Sequence, residues 1–546
     1  MKNFVLIIIL LLNFLLRIVG SDKSPASINW DEASLGYNAY SLLTTGKDDF
    51  GYKLPLTLRS FEDYKPALYS YLSIIPVKIM GLSQSSIRMI SAIAGTLALI
   101  PLWWLLRTYI ASEWLALIMV GLLGLGPLRL HFSRVALESN LSMAFFSFGV
   151  WWWIKGMKEK ENAKLLLTGS LMMIGAVLSY HSARVAAPLL AIFLITDPLQ
   201  IIIKKQLGQV NWKKAGLTAG VIIISVLTVM TISGAGNVTT RLGQENIGRF
   251  YPYISKEVFR GGLIDWIMNN PIYYLAGTLS GHALSFISPA NFGPTLYHWI
   301  RNSVQFIPSI HYIGFIETIF FIPGLVLVLR QLKNREYRNL FYIFLAGVTP
   351  TVITWNWFHT LRAVNMLMVI EITAVVGIVG MLDVIKWKKV ALGLLVVAFG
   401  FQSIFLVNNE LVYAVTENYM DYQPGGFKEG VEKLMVEAKN AQKVIVDTSQ
   451  AQGYIFLMFY GKYPPQEVQK YKEDRNWSYD NGSRDFNFDK FEFRKVIWAQ
   501  DEKLKNTVLW TSPDITLGQV VAVGGKRWLV NGPLKEYKAA QIIKLP

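Results

Sequence analysis

The chain has 546 residues, of which 52% are hydrophobic and only 16% charged, where a soluble protein carries roughly a quarter. Too little polar surface remains to cover it in water, which excludes a soluble enzyme, a disordered chain and a nucleic-acid-binding module. The net charge of +16 sits mostly in short Lys/Arg clusters between apolar runs, and the absence of cysteine excludes disulfides, thiolate metal sites and cysteine nucleophiles.

A membrane-spanning helix needs about 20 mostly apolar residues. Such runs lie near 4–20, 85–106, 113–128, 140–154, 164–180, 185–203, 215–232, 311–329, 339–355, 362–382 and 390–407, about eleven in all. The first is read as an anchor, with a cleaved signal peptide as the alternative. Alternate connections carry Arg107; Lys155, Lys158, Lys160 and Lys164; Lys204, Lys205, Lys213 and Lys214; Arg330, Lys333, Arg335 and Arg338; and Lys386, Lys388 and Lys389, on the side of Lys2. The positive-inside rule makes that side the cytoplasm. Loops 21–84 and 233–310 and the tail 408–546 are then expected on the extracytoplasmic face of the plasma membrane. The organisation predicted is a polytopic helical part, 1–407, followed by a soluble α/β domain, 408–546.

The first loop holds Asn29-Trp30-Asp31-Glu32. A carboxylate pair just beyond a membrane helix suits general-base work on a hydroxyl. The plainer reading is an N-cap for a helix over 33–45, and the two are compatible. Lys65-Pro66 follows, a cation beside a rigid turn that suits a phosphate or a lipid head group. In Leu128–Asn140, Arg134 and Glu138 are four apart, as on one helix face. His131 lies just before them.

His181 with Arg184, and His359 with Arg362, add two more basic clusters on the outer side. All six histidines (His131, His181, His282, His298, His311 and His359) map there, which points to a polar face capable of acid–base chemistry. The clusters together suggest a site for an anionic lipid head group. Glu371, about 13 Å into the tenth run, either lines a lipid tunnel or packs.

Past 408 the apolar runs stop. Phe427–Asn440 reads as an amphipathic helix and Gln452–Tyr460 as another. Lys443–Asp447, Lys495–Trp498, Thr507–Trp510, Val520–Val523 and Gln541–Lys544 read as strands, with Gly524-Gly525 as a hairpin turn and Glu473–Arg484 as an exposed loop.

The order of these motifs resembles glycosyltransferase family 39, which contains the protein O-mannosyltransferases and the aminoarabinose transferases and has the GT-C membrane fold. The resemblance rests on the first-loop Asp31-Glu32, Lys65-Pro66, Gly81-Leu82-Ser83-Gln84-Ser85-Ser86-Ile87-Arg88, Arg134 to Glu138, His359 to Arg362, the stretch Tyr273–Gly314 and Gly426-Phe427-Lys428-Glu429. It implies inverting transfer of a sugar, commonly mannose, from a polyprenyl-phosphate donor to a glycan, lipid or protein acceptor.

Asp31 is then the base and Glu32 orients it or the acceptor. Lys65 contacts the donor phosphate, with Arg134, Arg184 and Arg362 able to neutralise the departing charge. Glu138, His131, His181 and His359 support the site. The chain has Lys65-Pro66-Ala67 where the family usually has KPP, and Glu138 where Asp is common. No nucleotide is needed, no organic cofactor or resident metal is called for, and a divalent cation is left open. The alternative reading is a polytopic lipid or glycolipid transporter or flippase with an outer glycan-binding domain.

Overall fold

In the first 109 residues, helix α1 (Lys2–Ile18) is followed by α2 (Trp30–Thr45), strands β1 (Thr57–Ser60) and β2 (Asp63–Pro66), and helices α3 (Leu68–Met80), α4 (Gln84–Leu97) and α5 (Leu99–Tyr109). The computed structural model describes residues 1–61, 63–159, 162–204, 279–281, 284–285, 312–354, 359–413, 426–447, 453–471, 487–511, 520, 523–531 and 538–546. The run near 215–232, most of the loop 233–310, His282, His298, His311 and Glu473–Arg484 lie outside the described residues.

The first loop is thus no loop. It folds into two helices and an antiparallel hairpin, with Lys65-Pro66 at the end of strand β2 instead of in a turn. Helices α6 (Glu113–Leu123) and α7 (Pro127–Arg134) come next, then α8 (Glu138–Lys158), α9 (Ala163–Ser179), α10 (Ala183–Thr196), α11 (Pro198–Lys204), α12 (Phe315–Arg330), α13 (Arg335–Val352), α14 (Leu367–Val384) and α15 (Lys388–Asn408). The last of these continues into a π-helical turn, Asn409–Tyr413.

Among the described residues, four helical stretches are long and apolar enough to cross a membrane: Gln84–Tyr109, Ala183–Ile203, Val364–Val384 and Lys388–Val412. A fifth is counted if α6 and α7, bent by 54° at their break, form one span. At the break, the Gly124 carbonyl accepts from Arg17 Nη2 of α1 at 2.7 Å instead of from a following turn. Helices α12 and α14 approach closely because Gly324 and Gly377 face each other's backbones; a Cβ on Gly324 would lie 1.8 Å from the Thr373 carbonyl oxygen.

In the tail, α16 (Phe427–Glu437) precedes β3 (Lys443–Val446), α17 (Gly453–Tyr460), α18 (Pro465–Gln469), β4 (Phe491–Phe493), α19 (Trp498–Asp501), β5 (Thr507–Thr511), β6 (Lys526–Asn531) and β7 (Lys538–Lys544). The strands form one sheet in the order β4-β3-β5-β7-β6, parallel around β3 and antiparallel at β7.

Two predicted strands move. Residues 495–498 give way to 491–493, because Phe491 and Phe493 pair with Val444 and Val446 and Trp498 opens a helical turn. Strand β6 begins at Lys526 and the positive φ of Gly524 turns the chain into it; Val520 and Val523 are not in strands, and residues 521 and 522 lie outside the described residues.

Alternation in the strands sends Val444, Val446, Val508, Trp510 and Ile542 to one face of the sheet. Ile445, Leu509 and Ile543 go to the other. On the first face lies α17, which is buried from Gly453 to Phe459. A helix apolar all round needs cover on every side, and the second cover is α2. A Cβ on Gly36 would lie 2.6 Å from a Phe459 ring carbon, so only glycine admits that ring. Tyr37 donates its hydroxyl to the Tyr463 carbonyl at 2.8 Å, and Gln469 Nε2 donates to Ser41, Thr45 and the Asp48 carbonyl. The sheet domain is therefore seated on the helix that begins with Trp30-Asp31-Glu32.

Candidate active site

Helix α2 starts with a reciprocal cap. Asn29 Oδ1 accepts from the Glu32 backbone N–H at 2.8 Å, and Glu32 Oε2 accepts from the Asn29 N–H at 3.1 Å. The cap sends the two neighbouring carboxylates in different directions. Glu32 is fully buried and accepts from Arg88 Nε at 2.8 Å, Arg88 Nη2 at 3.2 Å and the Ala136 N–H at 2.8 Å. Its oxygens are saturated, so it braces the first turn. Arg88 spends its remaining donors on the carbonyls of Ser21, Pro25 and Ser27, tying down the approach to the helix. Asp31 is only partly buried, and its carboxylate accepts from the ammonium of Lys65.

Lys65 is delivered by the hairpin. Ser60 opposes Asp63 across it, and Ser60 Oγ bonds Ser34 Oγ of α2 at 2.8 Å. Lys65 Nζ sits 5.6 Å from the centre of the Phe61 ring. The neighbouring Tyr64 carbonyl accepts from His181 Nε2 at 3.1 Å, so that nitrogen carries the proton. Burial first, and then the charge of Arg184, pushes the His181 imidazole down to about 3. A value that low keeps the ring neutral across the physiological range, where it holds the Tyr64 carbonyl of the hairpin.

The charges of Arg184, Lys65 and Arg362 all act on His181, and those of Lys65 and Asp31 act on Glu138. Arg184 lies in the first turn of α10, and its buried Nε and Nη1 have no acceptor among the described residues. Asn365 Nδ2 bonds Ser182 Oγ at 3.1 Å, which brings the His359–Arg362 segment to the same turn. Five segments far apart in sequence thus supply Asp31, Lys65, Glu138, His181 with Arg184, and Arg362 to one end of the bundle.

His131 and Arg134 belong to a different group. Helix α7 ends at Arg134 and Val135 is extended, so Arg134 and Glu138 do not share a helix face. Arg134 is fully buried and donates to the carbonyls of Leu16 and Val19 at 2.6 and 2.9 Å and of Ser24 at 3.0 Å. Glu410, in the π-helical turn, takes His131 Nδ1 at 3.1 Å and faces Arg134 Nε at 3.6 Å. Those bonds make Arg134 a clasp for the first loop and leave it poorly placed for a phosphate.

Glu371 accepts from Arg129 Nε and Nη2 at 2.7 and 2.6 Å, which makes it the partner of a buried cation on α7. Sequence reasoning missed three partners: Arg88, Glu410 and Arg129. Arg88 stands in the Gly81–Arg88 motif, which was a usable signal. Among the described residues no three His, Asp or Glu side chains gather as a metal site.

Residues 64–229 match the family described as dolichyl-phosphate-mannose-protein mannosyltransferase. No curated protein matches the sequence. The fold is similar to that of ArnT from Cupriavidus metallidurans bound to undecaprenyl phosphate, with a TM-score of 0.55, 11% identity, and coverage of 98% of this chain and 97% of that one. It is also similar to the archaeal oligosaccharyltransferase AglB from Archaeoglobus fulgidus, in complex with an inhibitory peptide and a dolichol-phosphate. There the TM-score is 0.51 and the identity 14%, over 84% of this chain and 63% of that one. The match and the two folds agree with the motifs: the chain has the GT-C membrane fold and resembles the glycosyltransferases of family 39.

Proposed function

We propose that the chain is an inverting hexosyltransferase that moves a mannose-like sugar from a polyprenyl-phosphate donor to a hydroxyl on a glycan, lipid or protein. The observation that carries this reading is the convergence of a partly exposed carboxylate, Asp31, with Lys65, Arg184 and Arg362, where buried donors of Arg184 have no acceptor among the described residues. The carriers bound to ArnT and AglB supply the donor class.

In the reaction, the acceptor oxygen attacks the anomeric carbon from the face opposite the phosphate, and the carbon–oxygen bond to the phosphate breaks. Asp31 takes the hydroxyl proton. Polyprenyl phosphate leaves with the bonding electrons, and Lys65, Arg184 and Arg362 meet its growing charge. Glu32 positions Asp31 through the helix cap. Glu138, His181 and His359 line the surroundings, while His131 and Arg134 support them from the first-loop clasp.

The proposal includes about eleven spans within 1–407, and a site and tail, 408–546, on the extracytoplasmic face of the plasma membrane. The positive charges of the alternate connections favour that orientation. The test uses a polyprenyl-phosphate sugar labelled in the sugar, with purified protein in detergent. Transfer releases polyprenyl phosphate and labels the acceptor. A donor left intact under every acceptor tried, yet moved across a vesicle membrane, would establish the transporter instead.

A further inference from the structure

The hairpin that carries Lys65 contains an expensive residue. Ser60 ends strand β1, and the chain turns immediately after it. A turn position with positive φ favours Gly, Asn or Asp. Phe61 occupies that position with a φ of 57°. A bulky side chain there persists only where its surroundings demand it.

Two contacts make the demand. On one side the ring lies beneath Lys65 Nζ, 5.6 Å from its centre. On the other it meets Tyr454 of α17 nearly edge-on, with centroids 6.1 Å apart and planes at 68°. Tyr454 in turn meets Phe493 of β4 edge-on at 6.2 Å, and Phe493 stacks on Phe488 at 5.5 Å. A continuous line of rings therefore runs from the core of the tail sheet to the ammonium of Lys65.

We propose that Phe61 is a positioning residue for Lys65, held in place by Tyr454, so that the tail sets the donor-phosphate contact. The inference rests on the phosphate role given to Lys65 above, and its test is chosen to stand apart from that role. The full-length protein is treated with an amine-acylating reagent, and the rate of modification at Lys65 is read by mass spectrometry. Phe61→Gly removes the ring while favouring the positive φ, so the hairpin keeps its shape. Modification of Lys65 should rise roughly two- to tenfold, the effect of losing a cation–ring contact, at a temperature where the variant, which loses a buried ring, is still folded. Phe61→Tyr should keep the original rate. Tyr454→Leu should raise it in the same direction as Phe61→Gly, and an unchanged rate there would remove the tail from the line.

In transfer assays Phe61→Gly should raise KM for the donor and lower kcat together. An unchanged modification rate in a folded Phe61→Gly protein overturns the inference. If Lys65→Ala leaves donor KM and kcat unaltered, the phosphate role fails, while the modification rates still decide whether Phe61 positions the lysine.

Discussion

Asp31 and Glu32 are adjacent, yet water reaches only the first: their side chains are 23% and 0% exposed. Asp31→Asn should lower turnover by about 10²–10⁴-fold, the usual worth of a general base. Donor binding and thermal stability should stay close to wild type, which turnover, donor titration and thermal unfolding would check. Glu32→Gln should act through the fold, because it takes the counter-charge from buried Arg88. A loss on the order of 3–5 kcal/mol is expected. A Glu32→Gln protein with full stability and no turnover would exchange the two roles.

His181 gives a prediction in pH. Its folded value of about 3 lies below the ordinary 6.5, so between these limits the unfolded chain binds a proton that the folded chain does not. The contribution of His181 is complete above about pH 6.5 and is lost as pH falls toward 3. His181→Gln, which can keep a donor to the Tyr64 carbonyl, should flatten the acid limb of stability in that window. It should leave the pH dependence of transfer between 7 and 9 where it was. A shift of that activity profile would return His181 to acid–base work.

Helix α2 is gripped by the bundle through Glu32 and Arg88 and by the tail through Gly36 and Tyr37. Gly36→Val should push Phe459 out of contact, because even a Cβ would be 2.6 Å from that ring and 2.7 Å from Ile87. The cost of such overpacking is about 1–3 kcal/mol, read as a lower midpoint of unfolding and faster proteolysis between α17 and α18. Unaltered proteolysis would mean that the tail does not depend on this seat.

The long apolar helices Gln84–Tyr109, Ala183–Ile203, Val364–Val384 and Lys388–Val412, the helix after Asn29 and strands β3, β5 and β7 were legible, because period, length and capping are local signals. The break between α6 and α7 follows from Gly126-Pro127, where proline removes a helical donor, and only the capping of the Gly124 carbonyl by Arg17 is non-local. Residues 491–493 and 495–498 both look like strands, and only pairing with β3 chooses between them. In the site, the candidates Asp31, Lys65, Arg184 and Arg362 could be read from residue type and side of the membrane. Their bracing could not, because Glu32 and Arg88 are 56 residues apart and His131 and Glu410 are 279.

Across the molecule, exposed charged pairs lie at the ends of the bundle, and the pair Arg129–Glu371 is buried inside it. Lys2, Arg107 and Glu113 meet at one end, with Lys158 and Glu336 paired 3.7 Å apart. The hairpin, the His181 turn and the tail meet at the other. The chain has no native cysteine, so single cysteines replacing Lys158 and Lys470, both exposed, can report the sides. An impermeant maleimide should label position 470 and spare 158 in intact cells; the opposite pattern would invert the orientation.

The seat of the tail on α2 also imposes an order of events. Tyr37 and its partner Tyr463 are 426 residues apart. At about 5–20 residues per second of synthesis, the helix bearing Asp31 waits on the order of 20–85 s, with Gly36 against Ile87 but its Phe459 side uncovered, until α17 is made. During that interval the nascent first loop is open to proteases and chaperones. A ribosome that stops before residue 453 leaves a membrane-inserted chain in which that surface is never covered.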